Sequence, residues 1–149
     1  MSVSYNLFTE SFLAKITEFD FLHLADEDRT AIVDGYMKRS INAFKKNCKY
    51  DLVSTADDYQ RIFNIEVDDS DIDEIVDIVS EGMVSQWLKP YVYQQELLQN
   101  CMNTRDYSIY SPAELLHRVS NAYNQSKKDF INMIREYSYN HGDLTRLHL

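Results

Sequence analysis

The sequence predicts a mainly α-helical single domain, on three observations. Apolar residues recur at three- and four-residue intervals over most of the chain. Glycine and proline, the strongest breakers of regular structure, occur only three and two times in 149 residues. Residues 61–67 depart from the helical rhythm and alternate at period two, the spacing of a strand. The expected architecture is a helical bundle of four to five helices with a long C-terminal helix, one short extended segment and an apolar C-terminal tail.

Each element has a local reason. Thr9 carries a side-chain oxygen able to cap a first helical turn, and Phe12, Leu13, Ile16 and Phe19 follow as one apolar side. Leu22 and Leu24 lie in a connector. Asp26, Glu27 and Asp28 suit a helix start, where aligned peptide dipoles leave positive partial charge. Ile32, Val33, Tyr36, Met37, Ile41, Phe44 and Cys48 form the stripe of that second helix, which is expected to end near 47–50. Residues 51–58 read as a turn-rich loop. Within 61–67, Phe63, Ile65 and Val67 alternate with polar residues. A lone strand leaves its backbone groups unpaired, so this segment is expected to pair with another subunit or with a strand the pattern does not reveal.

Ser70 is the expected cap of a third helix whose inward residues are Ile72, Ile75, Val76, Val79, Met83, Trp87 and Leu88. Pro90 lacks an N–H and is expected to end or kink it. Helical character resumes over 91–102 through Leu97, Leu98 and Cys101, and 103–110 is a polar, tyrosine-bearing loop. Ser111-Pro112-Ala113-Glu114 is the sharpest start signal: a serine cap, a proline at the first helical position and a glutamate placed to close a capping box. Leu115, Leu116, Val119, Ala122, Tyr123, Phe130, Met133, Ile134 and Tyr137 make the buried face of this last helix, and Gly142 stops it. At 1.5 Å per residue about 27 residues reach roughly 40 Å, so the helix is expected to project or to line an interface. Residues 140–149 read as a docking tail, with Leu144, Leu147 and Leu149 as its apolar contacts.

Composition narrows the function classes. A chain of this length suits one domain, 1–149, that buries about 68–70% of its unfolded surface. Aromatics make up 13% of the residues, eleven of them tyrosine, which argues against disorder despite a net charge of −9. The tyrosines either edge the core or face partners. Cys48 and Cys101 are expected to be free thiols. No basic start followed by an apolar run opens the chain, and no window approaches the roughly 18 apolar residues of a membrane span. Synthesis in a cytoplasm and no membrane partner are expected.

Two charged clusters stand out. Glu66, Asp68, Asp69, Asp71, Asp73, Glu74, Asp77 and Glu81 lie in a stretch without Lys or Arg between Arg61 and Lys89. Asp69, Asp71 and Asp73 have the alternation of a calcium loop, but Glu74 stands where such a loop needs Gly and Ser80 where it needs Glu. No metal site is expected. Lys38, Arg39, Lys45, Lys46 and Lys49 form the opposite cluster, without the aromatic and glycine pattern of an RNA-binding sheet. Paired, the two clusters suit subunit–subunit charge contacts, with Asp69, Asp71 and Asp73 of one copy meeting Lys38, Arg39, Lys45 and Lys46 of the next. His23, His117, His141 and His148 are scattered, no glycine-rich loop cradles phosphate, and no nucleophile motif is present. Neither catalytic residues nor cofactors are expected.

The order of elements, together with Glu18-Phe19-Asp20-Phe21-Leu22-His23-Leu24-Ala25-Asp26-Glu27 and Asn103-Thr104-Arg105-Asp106-Tyr107-Ser108-Ile109-Tyr110-Ser111-Pro112, resembles the head-to-tail connector (adaptor, or neck) proteins of tailed bacteriophages. The resemblance covers nearly the whole chain and rests on general character, since the family has no strict motif. It implies a non-enzymatic ring of twelve copies in the virion neck, beneath the portal protein, extending the channel through which DNA passes without sequence-specific binding. It also implies portal docking by Leu144, Leu147 and Leu149, contact with further neck or tail-completion proteins, and an Ile62, Phe63, Ile65 and Val67 segment free to pair with a neighbouring subunit. Two other classes fit the same sequence: a helical protein-binding regulatory module of phage or bacterial origin, and an enzyme whose site is assembled from distant residues.

Overall fold

The computed structural model describes residues 2–16, 29–93 and 112–141. Within them the order is β1 (Val3–Ser4), α1 (Tyr5–Ile16), α2 (Arg29–Phe44), β2 (Ala56–Asp57), β3 (Ile62–Phe63), α3 (Asp69–Tyr93) and α4 (Pro112–His141). The protein is a mainly α-helical bundle with a small three-stranded sheet at one end.

Helix α3 is the organising element: α1, α2 and α4 all pack on it. Ile75, Val79, Met83, Trp87 and Leu88 of the expected stripe are buried, and so are Ile78 and Val84 outside it. A helix with neighbours on several sides is apolar around much of its circumference, which is why the buried set is wider than one stripe. Ile72 and Val76 sit half-buried at its edge. The close approach of three helices occurs at Gly82, where an added Cβ would lie 2.1 Å from Ser40 Oγ on α2 and 2.7 Å from Phe130 Cε1 on α4. Ser40 Oγ donates to the Val79 carbonyl at 2.7 Å, tying α2 to α3 at that crossing.

Helix α4 packs along α3 from Val119 through Tyr123, Ser126 and Phe130. Its far end is pinned to α2: the Tyr137 ring lies edge-on to Phe44 at 5.0 Å, and its Oη accepts from the Lys49 N–H at 3.1 Å. Thirty residues are thus accommodated by lying along the bundle rather than by projecting from it. The helix starts at Pro112 and runs to His141, beside the expected stop.

Several boundaries differ from expectation for local reasons. Helix α1 begins at Tyr5, because Ser4 Oγ accepts from the Asn6 N–H at 3.2 Å and caps it; Thr9 lies one turn inside, its Oγ1 donating to the Asn6 carbonyl at 3.3 Å. Helix α3 begins at Asp69, with the Asp68 carbonyl accepting from the Asp71 and Ile72 N–H groups, so Ser70 falls within the first turn. Pro90 does not end it, and the helix continues to Tyr93. Pro90 and Lys89 are exposed and Gln86 half-exposed, so the carbonyl that proline leaves without a donor four residues back is on a side open to water. The readings of 17–28, of 94–111 and of the tail lie outside the described residues.

Of the two partners expected for the extended segment, the structure supplies strands of the same chain that the pattern does not reveal. Strand β3 is central and pairs antiparallel on both sides within its own chain, Phe63 opposite Val3 and Ala56, Ile62 opposite Ser4 and Asp57. Its partners are two-residue strands, too short for a period-two signal. Ile65 and Val67 follow as half-buried loop residues, outside the strand. An inter-subunit role for Ile62, Phe63, Ile65 and Val67 therefore has no unpaired strand to rest on.

Arg61 closes the β2–β3 hairpin with φ of 55°, a left-handed conformation that costs an L-residue about 1–2 kcal/mol. Its guanidinium offsets that cost, donating to both Asp34 oxygens at 2.9 and 2.8 Å and to Asn6 Oδ1 at 2.8 Å. Arg61→Gly loses the fork but relaxes the backbone, whereas Arg61→Ala loses the fork and keeps the strain. Chemical unfolding is expected to find the alanine variant less stable than the glycine variant by about 0.5–1 kcal/mol, after allowing for glycine's extra unfolded-state entropy.

Two buried phenols make the fold sensitive to alkali. Burial pushes the Tyr5 and Tyr137 hydroxyls well above the usual value, helped at Tyr5 by donation to Asp58 Oδ1 at 2.8 Å. A raised folded-state pKa gives stability that is fully present below the unfolded value, about 10 for Tyr, and is lost as pH rises above it. Urea unfolding between pH 8.5 and 11 is expected to show a falling midpoint, with a shallower fall in Tyr5→Phe and Tyr137→Phe.

Candidate functional site

The structure distributes the charged residues singled out by the sequence differently from two opposed faces. Lys49 Nζ lies 3.9 Å from Asp71 Oδ2, so the basic segment that follows α2 adjoins the acidic start of α3. Asp71 is buried and accepts from the Tyr50 hydroxyl at 2.7 Å, and Lys49 also stands 5.5 Å from the Tyr50 ring centre. Lys38 Nζ reaches Asp58 Oδ2 at 2.6 Å. Lys38 and Asp71 are therefore engaged within their own chain. Arg39, Lys45, Lys46, Asp69 and Asp73 are exposed, and none forms an ion pair among the described residues.

Further along the acidic series, Asp77 and Glu81 hold Lys15 of α1, at 2.6 and 3.1 Å. Burial alone would lower the Lys15 pKa, but the hydrogen bonds it donates to both carboxylates and their charge together raise it. Glu81 Oε1 also accepts from Ser126 of α4 at 3.0 Å. Lys15, Glu81 and Ser126 line a furrow of about 410 Å³, with Val84 and Ala122 as its apolar wall and Gln125 and Asp129 on its α4 side. A cationic Lys15 held by two carboxylates is a clamp between helices, not a base or nucleophile, because its proton is stabilised rather than loosened. Among the described residues no three His, Cys, Asp or Glu side chains are grouped to hold a metal ion, and no helix is long and apolar enough to cross a membrane.

A second hollow lies between α2 and the sheet. Ile41, Leu52, Ala56 and Phe63 form its apolar lining, and Tyr5, Lys38, Asn42 and Asp58 its polar one; its volume is about 250 Å³. Asp58 sits at the junction, accepting from Lys38 and Tyr5, which hold its carboxyl below the usual range. The next residue, Tyr59, is 97% exposed at the hairpin tip. Asp57 Oδ1 accepts from the Tyr59 and Gln60 N–H groups at 3.0 and 3.1 Å, which fixes the turn beneath it.

Sequence reasoning missed Tyr59, Asp58, Arg61 and their partners because residues 51–61 carry no periodicity. The Asp57-Asp58-Tyr59-Gln60-Arg61 string was nevertheless a signal, since an aspartate can cap a turn through its own side chain. Tyr139, near the end of α4, is also largely exposed, at 74%. His117 is exposed and lies 3.2 Å from Asn121 one turn on, while Leu144, Leu147 and Leu149 lie outside the described residues. Compared with known proteins, the chain matches no family model, no curated protein and no solved structure.

Proposed function

We propose that this protein is a structural connector of a tailed-phage neck, a ring-forming adaptor beneath the portal, and not an enzyme. The observation that carries the reading is the order of elements on which the resemblance rests. A 12-residue helix, a 16-residue helix, an irregular middle with an extended segment, a proline-bearing helix with an acidic first turn and a 30-residue last helix follow one another here. Exposed Tyr59 and Tyr139 add support, since large amphipathic side chains in water are anchors for protein contacts.

The contact set changes from the sequence reading. Arg39, Lys45 and Lys46 remain for carboxylates of a neighbouring copy, and Asp69 and Asp73 for its cations, whereas Lys38 and Asp71 are already occupied. The leucine tail, Leu144, Leu147 and Leu149, is assigned to the portal.

Co-expression with a tailed-phage portal protein from the genome that encodes the chain tests the proposal. The full chain is expected to co-purify as a ring of twelve, about 210 kDa from a 17.6 kDa chain. Leu144→Asp with Leu147→Asp is expected to abolish portal binding and leave the circular dichroism of the fold unchanged. A chain that stays monomeric and fails to bind the portal at micromolar concentration would overturn the connector reading and leave a regulatory protein-binding module.

A further inference from the structure

The hollow between α2 and the sheet has a size that selects its occupant. At about 250 Å³ it is smaller than the roughly 300–1,000 Å³ of sites for whole small molecules. It is larger than the roughly 150 Å³ that suffices for a benzene ring. One aromatic side chain is the fitting guest. The lining specifies which: Ile41, Leu52, Ala56 and Phe63 suit the faces of a ring, while Lys38, Asn42 and Asp58 offer both donors and acceptors for a hydroxyl. A phenol meets both halves, whereas phenylalanine would leave the polar half without a partner.

The same end of the molecule displays a matching knob. Asp58 lines the hollow and Tyr59 is its neighbour in sequence, held out in water on a turn that Asp57 has already ordered. The backbone beneath that side chain is already ordered, so burying it costs mainly the freedom of its two side-chain torsions. Because Tyr59 follows directly on Asp58 of the lining, a two-fold axis beside the hairpin would carry each ring toward the other copy's hollow. Lys38 and Asp58 neutralise each other at 2.6 Å, so two identical mouths meet without a like-charge penalty.

We infer that the hollow is a tyrosine-binding site for a second copy of this chain, in which Tyr59 of each copy enters the hollow of the other. The contact does not rest on the connector reading, and it differs from the charge contacts proposed for the ring. Each chain carries a net charge of −9, so the copies repel at long range and salt screens that repulsion. Reciprocal Tyr59 contact therefore strengthens as salt rises, whereas association through Lys45 and Lys46 weakens.

Photocrosslinking of the full chain tests the inference. Tyr59→p-benzoylphenylalanine, mixed with isotopically labelled wild-type chain and irradiated, is expected to crosslink between copies to peptides covering 38–42 and 52–56. Inter-copy crosslinks elsewhere, or none, would overturn it. Sedimentation of the wild type from 50 to 500 mM NaCl is expected to show a dimer that tightens several-fold. Tyr59→Ala is expected to weaken it at least tenfold, and Ala56→Leu, which fills the hollow from within, to do the same. A dimer untouched by Tyr59→Ala would overturn the inference. If Ala56→Leu melts early and so cannot be read, Asn42→Trp, on an exposed position at the rim, takes its place with the same expected loss.

Discussion

Trp87→Ala is expected to lower the unfolding free energy by about 3–5 kcal/mol, the range for truncating a buried large aromatic, and the melting temperature by on the order of 10 °C. Trp87 is 1% exposed on the central helix, and its ring stands edge-on to Phe12 of α1 at 6.2 Å and to Tyr91 at 6.5 Å. Removing it empties the space between α1 and α3 while Phe12 and Tyr91 stay in place beside the void. Relaxation is limited because Lys15, one turn along α1, keeps that helix tied to Asp77 and Glu81. Trp87→Phe retains most of the volume and is expected to cost about half as much. Trp87 is the only tryptophan, so its fluorescence monitors unfolding of the wild type, and circular dichroism serves for the variants. A loss below 1 kcal/mol for Trp87→Ala would mean that α1 does not pack on α3 as described.

Gly82→Ala should destabilise by about 1–3 kcal/mol, the usual range for an overpacked core. At most exposed helical positions the same change stabilises by 0.5–1 kcal/mol, roughly the cost of glycine in a helix, so the sign itself is diagnostic. The new Cβ would fall 2.1 Å from Ser40 Oγ and 2.7 and 2.8 Å from two Phe130 ring atoms. Turning Ser40 aside sacrifices its 2.7 Å bond to the Val79 carbonyl in a buried setting, and moving Phe130 loosens α4. Adding Ser40→Ala is expected to recover only part of the loss, because the clash with Phe130 remains. Full recovery would place the whole strain at the α2–α3 crossing, and a stabilised single variant would refute the close approach.

Long-period features were legible in the sequence and short ones were not. The thirty residues of α4 showed their apolar face and their start at Pro112, since each signal repeats or stands at a fixed position. The sheet escaped because β1 and β2 have two residues each, fewer than one full alternation. Ser4 and Asp68, the residues that start α1 and α3, lost to Thr9 and Ser70 in the reading because all four are plausible caps and only tertiary packing chooses among them. The hollow was invisible for a deeper reason. Its walls come from α1, α2, the hairpin and the segment leading to it, and nothing in a linear pattern states that Phe63 and Ile41 face one another.

Pairing of Val3 with Phe63 also bears on how the chain is made. A ribosome synthesises Phe63 sixty residues after Val3, and at about 5–20 residues per second that is roughly 3–12 s. Throughout that interval Phe8 and Phe12 have neither the hairpin nor α3 to cover them. Codon changes that slow the 63–87 stretch are expected to raise aggregation more than equal slowing beyond residue 130.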